Sequence, residues 1–162
     1  MVSNFDALPD TSRIWIYQSN RSFNTVELEE ITKKLTDFLA GWQAHGVGLN
    51  AGFEIKHKRF IIIGLDEEEQ SATGCSIDTS VRFIQELENT YDVLLLDKMN
   101  VSYMQGEFVA YKSLLEFRAM AKQKAVSKNT LVFNNLVATK AEYLEHWKVP
   151  ASESWHARFF KV

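Results

Sequence analysis

The stretch Ser71-Ala72-Thr73-Gly74-Cys75-Ser76-Ile77-Asp78-Thr79-Ser80 gathers small, hydroxylic and thiol side chains in one place, and Cys75 is the only cysteine of the chain. A helical pattern begins there. The first turn of a helix offers unpaired backbone N–H groups and the positive end of the peptide dipole, so it attracts anions and lowers the pKa of a nearby thiol. Two chemistries follow. In one, Gly74, Cys75, Ser76, Asp78, Thr79 and Ser80 bind a small anionic ligand, with Gly74 allowing close approach to the backbone. In the other, Cys75 is a catalytic nucleophile or a redox-sensitive thiolate. The same residues also fit a purely structural use, in which Ser76 or Asp78 caps the helix and Cys75 packs as a small hydrophobe under the loop.

A thiol nucleophile needs a base, and His45, His57, His146 and His156 all lie at offsets that spacing alone does not relate to Cys75. Metal chemistry has less support. One cysteine excludes Cys-x-x-Cys, His-Glu-x-x-His is absent, and Glu54-x-x-His57 falls on an expected strand, where an offset of three points to opposite faces. No metal and no cofactor are expected. The acidic run Asp66-Glu67-Glu68-Glu69 lacks the alternating pattern of a calcium loop and reads as a solvated loop, as the basic turn Lys56 to Arg59 reads as a solvated turn.

Eighteen Lys and Arg against 21 Asp and Glu give a net charge of −3, which argues against a general polyanion binder. Nucleic acid is not an expected partner. No apolar run is long enough to span a membrane, and Met1 to Asp10 has no signal-peptide pattern. With the lone thiol, this predicts a cytoplasmic protein.

The elements that must position these residues are legible from periodicity. Arg13 to Gln18 and Phe60 to Leu65 read as strands, and Gly52 to His57 alternates as a strand with one wet face. Leu28, Ile31, Leu35, Phe38, Leu39 and Trp42 mark a first helix, opened by an Asn24/Glu27 capping box and ended near Gly46 and Gly48. Ile77, Val81, Ile84, Leu87 and Tyr91 mark a second, and Val93 to Leu96 reads as a following strand. The order βαββαβ predicts a single α+β domain over 1–162 with a ferredoxin-like, split βαβ core. A doubly wound parallel sheet is the competing architecture. Val101 to Tyr103 and Phe108 to Tyr111 form a hairpin that could extend the sheet, and Ser113-Leu114-Leu115-Glu116 and Thr139-Lys140-Ala141-Glu142 open two further helices around a short strand, Thr130 to Phe133. The third strand lacks the aromatic alternation of RNA-recognition modules. Asn134 and Asn135 read as turn residues or ligand donors, and the aromatic tail Trp155 to Phe160 as a segment packed on the body or on a second copy of the chain, so a homodimer fits.

Leu8 to Gln18, Gly74-Cys75-Ser76-Ile77-Asp78, Thr130 to Val137 and the Trp155-to-Phe160 ending together resemble a family of small Bacteroidetes proteins commonly labelled "ABC transporter ATPase". The resemblance runs nearly end to end. It implies a bacterial, cytoplasmic protein and supplies no catalytic residues. The label asks for a phosphate-binding loop that ends in Gly-Lys-Ser/Thr at a helix start. Gly41-Trp42-Gln43-Ala44-His45-Gly46 has the glycine spacing, but Val47-Gly48 stands where Lys-Ser/Thr is required, and no Leu-Ser-Gly-Gly-Gln signature occurs. The expectation is therefore a binding or assembly module with an anion site at the second helix, followed by a Cys75-dependent enzyme or redox sensor, with ATP hydrolysis third.

Overall fold

The computed structural model describes residues 2–161 and divides the chain into two compact units, where the sequence reads as one domain. The first comprises Met1–Leu96 with Ala138–Ala141; the second comprises Asp97–Val137 with Glu142–Val162. Both are α+β.

In the first unit, β1 (Arg13–Gln18) leads to α1 (Thr25–Gly41), a short hairpin of β2 (Gln43–Ala44) and β3 (Val47–Gly48), then β4 (Asn50–Lys56), β5 (Phe60–Asp66) and α2 (Gly74–Tyr91). The sheet order is β1-β5-β4 with both pairings antiparallel, which rules out the doubly wound alternative. Asn24 caps α1 in a full capping box with Glu27, as its sequence predicts. Arg21 braces that box by gripping Glu27 through both carboxylate oxygens at 2.9 and 2.8 Å. The guanidinium, and then the Asn24 N–H, hold the Glu27 carboxyl down at about 2.

Alternation along β5 divides its side chains between two faces. Ile61, Ile63 and Leu65 join Ile31, Leu35 and Leu39 of α1 and Ile84, Leu87 and Tyr91 of α2 in one core cluster, so both helices pack on this face. On α2 the buried stripe is Ser76, Ser80, Ile84, Leu87 and Tyr91, which replaces the expected Ile77 and Val81 at its amino end. The other face holds a close approach. Gly64 pairs with Gly52, and the segment from Ser3 to Leu8 lies against both: an added Cβ at Gly64 would meet Leu8 Cδ1 at 2.8 Å.

Lys140 fastens the same segment. Its side chain is buried, and its Nζ donates to the Asp6 and Leu8 carbonyls at 2.9 and 2.7 Å. A Lys140→Met protein keeps the apolar stem and strips both carbonyls of their donor. Urea unfolding should show a loss of about 1–3 kcal/mol, the usual range for removing a charged donor; an unchanged midpoint would show that the ammonium is not what holds the segment.

The fourth strand expected at Val93 to Leu96 is not formed, and this corrects the complete ferredoxin-like order. The Val93 N–H goes to the Glu88 carbonyl at 3.2 Å and the other three amides are taken by side chains. Asn20 Oδ1 accepts the Leu94 N–H at 2.9 Å, and Glu88 Oε2 accepts those of Leu95 and Leu96 at 2.7 and 3.0 Å. Val93 and Leu95 still bury their side chains in the core. The outer edge of β1 is met by Ala138, whose carbonyl accepts from Ile14 N–H at 2.9 Å, and by an Arg13–Thr139 bridge.

In the second unit, β6 (Asn100–Gln105) and β7 (Phe108–Ser113) form the expected hairpin. It does not extend the first sheet. With β8 (Leu131–Phe133) and β9 (Lys148–Pro150) it makes a separate antiparallel sheet of order β7-β6-β8-β9. Ser113 caps α3 (Leu114–Lys122) by accepting from Glu116 N–H at 3.1 Å. Val101, Tyr103, Phe117, Val126, Val132 and Ala151 form the core, and the 3₁₀ turn Trp155–Phe160 packs onto it through Trp155, Phe159 and Phe160. A further helix, α4 (Lys140–His146), runs from residues assigned to the first unit into the second. No helix among the described residues is long and apolar enough to cross a membrane.

Candidate anion site

The site is built at the amino end of α2. Thr73 is the N-cap, which corrects the expectation that Ser76 or Asp78 caps this helix. Thr73 Oγ1 accepts from Ser76 N–H at 3.1 Å and Ser76 Oγ accepts from Thr73 N–H at 2.7 Å, while the Thr73 carbonyl takes the Ile77 N–H at 2.9 Å. The cap therefore consumes the donors of Ser76 and Ile77. Between them and Thr73 stand Gly74 and Cys75, whose N–H groups find no acceptor among the described residues.

Both residues line a pocket of about 310 Å³ together with Gln43, Ala44, His45, Thr73, Ser76 and Thr79. Its second wall is the tight hairpin after α1. His45 and Gly46 are the two turn residues between β2 and β3, both with positive φ (52° and 78°), the geometry that suits a two-residue hairpin. Trp42 ties the walls together. This buried residue sits directly before β2, and its indole N–H donates to the Ser76 carbonyl at 2.8 Å. A Cβ on Gly74 would meet nothing within 4 Å, so the backbone there faces open space.

Four of the six residues expected to bind ligand line this pocket: Gly74, Cys75, Ser76 and Thr79. Asp78 and Ser80 do not. At 100° per residue Ser80 falls on the Ile84 face, where it is buried, donates to the Ile77 carbonyl at 2.6 Å and meets the Tyr17 hydroxyl. Asp78 is exposed and outside the pocket lining. Ser76 contributes its place in the lining while its hydroxyl is spent on the cap, and Thr79 Oγ1 donates to the Cys75 carbonyl at 2.9 Å. Cys75 itself is exposed, so the reading in which it fills space in the core does not hold.

Among the described residues no carboxylate lines the pocket. Glu67, in the acidic loop that leads to α2, is used in holding that loop, accepting from Ala72 N–H at 2.9 Å. His45 is the one histidine that shares the pocket with Cys75, and its ring has no hydrogen-bond partner among the described residues to orient it. His156 is remote in role: it is fully buried in the second unit and stacked on Trp155. No cluster of three or more His, Cys, Asp or Glu that could hold a metal occurs among the described residues.

Other sequence candidates have structural duties. Arg59 of the basic turn is buried, with Nε donating to the Ser19 carbonyl at 3.3 Å. Asn134 Oδ1 accepts from Leu136 N–H at 3.1 Å, closing a turn, and Asn135 Oδ1 accepts from the Trp147 indole at 2.9 Å. Sequence reading missed Gln43, Thr73 and the bracing role of Trp42. Thr73 with Ser76 has the spacing of a capping box but a serine in place of Glu or Gln, and by periodicity Trp42 falls on the apolar stripe of α1. Compared with known proteins, the chain matches no family model, no curated protein and no solved structure.

Proposed function

We infer that the chain is a noncatalytic binding or assembly module whose first unit takes a small anion at the amino end of α2. The observation that carries this reading is the pair of unpartnered amides, those of Gly74 and Cys75, on residues lining a pocket that holds no carboxylate among the described residues. A helix start of this kind favours an anion through both directed N–H groups and the dipole. The lone thiol fits a reducing, cytoplasmic setting.

The exposed sulfur in the same pocket as His45 favours a second reading, a thiol enzyme or redox sensor. A catalytic imidazole is ordinarily oriented by a third group, and His45 has none among the described residues, which favours binding over catalysis. One experiment separates the two. Inorganic phosphate should slow alkylation of Cys75 by iodoacetamide saturably, and a Cys75→Ala protein should still bind phosphate. Phosphate without effect on either measurement removes the anion site, and a turnover abolished by Cys75→Ser would establish the thiol reading instead.

A further inference from the structure

The second unit carries a different charge pattern. Arg118 and Lys122 of α3 lie one turn apart, and with Arg158 and Lys161 of the tail they line a groove of about 460 Å³. All four are exposed, and none has a carboxylate partner among the described residues. Glu116, the acidic residue of α3, lies two positions from Leu114 and from Arg118, which turns it roughly 200° away from their stripe, and its carboxylate accepts from Ser113 Oγ at 3.1 Å and meets Lys112 Nζ at 3.9 Å.

The rest of the groove is apolar. Leu114, Leu115 and Phe159 line it, and Leu115 is 77% exposed. Beside it the Arg158 guanidinium lies over the Trp155 ring, 4.9 Å from its centroid, which fixes one cation over an aromatic surface. Four like charges lining one groove, with no carboxylate partner among the described residues, repel one another, and an anion placed among them relieves that repulsion. The volume is that of a small-molecule site.

We propose that this groove binds a small anionic amphiphile, a phosphate or carboxylate head among Arg118, Lys122, Arg158 and Lys161 with its aliphatic body against Leu115 and Phe159. Charge complementarity selects the head, and the exposed Leu115 with the half-buried Phe159 selects the body. Inorganic anions satisfy only the first, and cationic detergents only the second. The net charge of −3 on the whole chain favours a small anion over an extended polyanion.

The test is a calorimetric titration of the full chain with decyl phosphate below its micelle concentration, beside methyl phosphate, decyltrimethylammonium, an oligothymidylate and anionic phospholipid vesicles. Decyl phosphate should bind at least about tenfold more tightly than methyl phosphate, since its chain buries methylenes against Leu115 and Phe159. The Arg118→Gln/Lys122→Gln protein should lose about tenfold or more of that affinity, the scale of a charge-assisted hydrogen bond. Leu115→Ser should weaken decyl phosphate and leave methyl phosphate unchanged. All three positions are exposed, and unchanged thermal melts show that the variants are folded. Equal binding of decyltrimethylammonium, no preference over methyl phosphate, no binding at millimolar ligand, or tighter binding of the oligonucleotide or the vesicles would each overturn the proposal.

Discussion

A Gly52→Ala protein should be less stable than the parent by about 2–3 kcal/mol in urea unfolding, the upper part of the range for overpacking. The added Cβ would sit 2.6 Å from the Ser3 carbonyl oxygen and 3.1 Å from the Phe5 nitrogen. Both are backbone atoms. They cannot rotate away as a side-chain end could, and Ser3 N–H is itself bonded to the Ala51 carbonyl at 2.8 Å, so relief requires peeling the amino-terminal segment from the sheet. The smaller entropy of an unfolded alanine offsets only about 0.4–1 kcal/mol. Gly74→Ala is the matched control: with nothing within 4 Å of the new atom and an unrestricted φ, its stability should stay within about 1 kcal/mol of the parent or rise. Equal destabilisation by the two substitutions would show that the close approach at Gly52 is not the cause.

Acidification should destabilise the second unit through His156. Its imidazole is fully buried, Nδ1 lies 2.6 Å from Ser154 Oγ, and Nε2 has no partner among the described residues. Burial, and then the Arg158 charge, pull its pKa down to about 4 from 6.5. The sign follows directly. Below 6.5 the unfolded chain takes up a proton that the folded chain refuses until about 4, so stability is whole above 6.5 and drains away between those values. The full window is worth about 3 kcal/mol. Glu27, held down at about 2, adds its own loss only further into acid, between its ordinary 4.5 and 2. Unfolding measured at about pH 7, 6 and 5 should therefore show a falling free energy, and His156→Leu should flatten that slope whatever it does to the absolute stability. A slope that survives the substitution would assign the acid sensitivity elsewhere.

Much of this architecture was legible because its signals are local. The Asn24/Glu27 box, the Ser113 cap and the hairpin around Gln105-Gly106-Glu107 each depend on a few neighbouring residues, and all are present. The fourth strand was not legible for a physical reason. Val93 to Leu96 is apolar enough for a strand, but whether its amides join a ladder or meet the Glu88 and Asn20 side chains depends on what occupies the edge of β1, and that is the distant segment at Ala138. The second sheet was missed likewise, since pairing of β6 with β8 brings together residues far apart in sequence.

The candidate site divides along the same line. Its helix start could be read from Thr73 to Ser80, but which serine faces inward depended on the phase of α2, and periodicity placed Ile77 and Val81 where Ser76 and Ser80 stand. The second wall, Gln43 to His45, required knowing that the chain after α1 turns back in a hairpin held to Ser76 by Trp42. Nothing in the spacing of His45 and Cys75 announces that meeting.

The most direct measurement is a phosphate titration followed by ¹H–¹⁵N spectra of the full chain. Saturable movement of the Gly74 and Cys75 amide resonances is predicted, with the Ser76 and Ile77 amides, already bonded to Thr73, moving far less. Absence of saturation at Gly74 and Cys75, or shifts of the same size spread over the surface, would contradict the anion site.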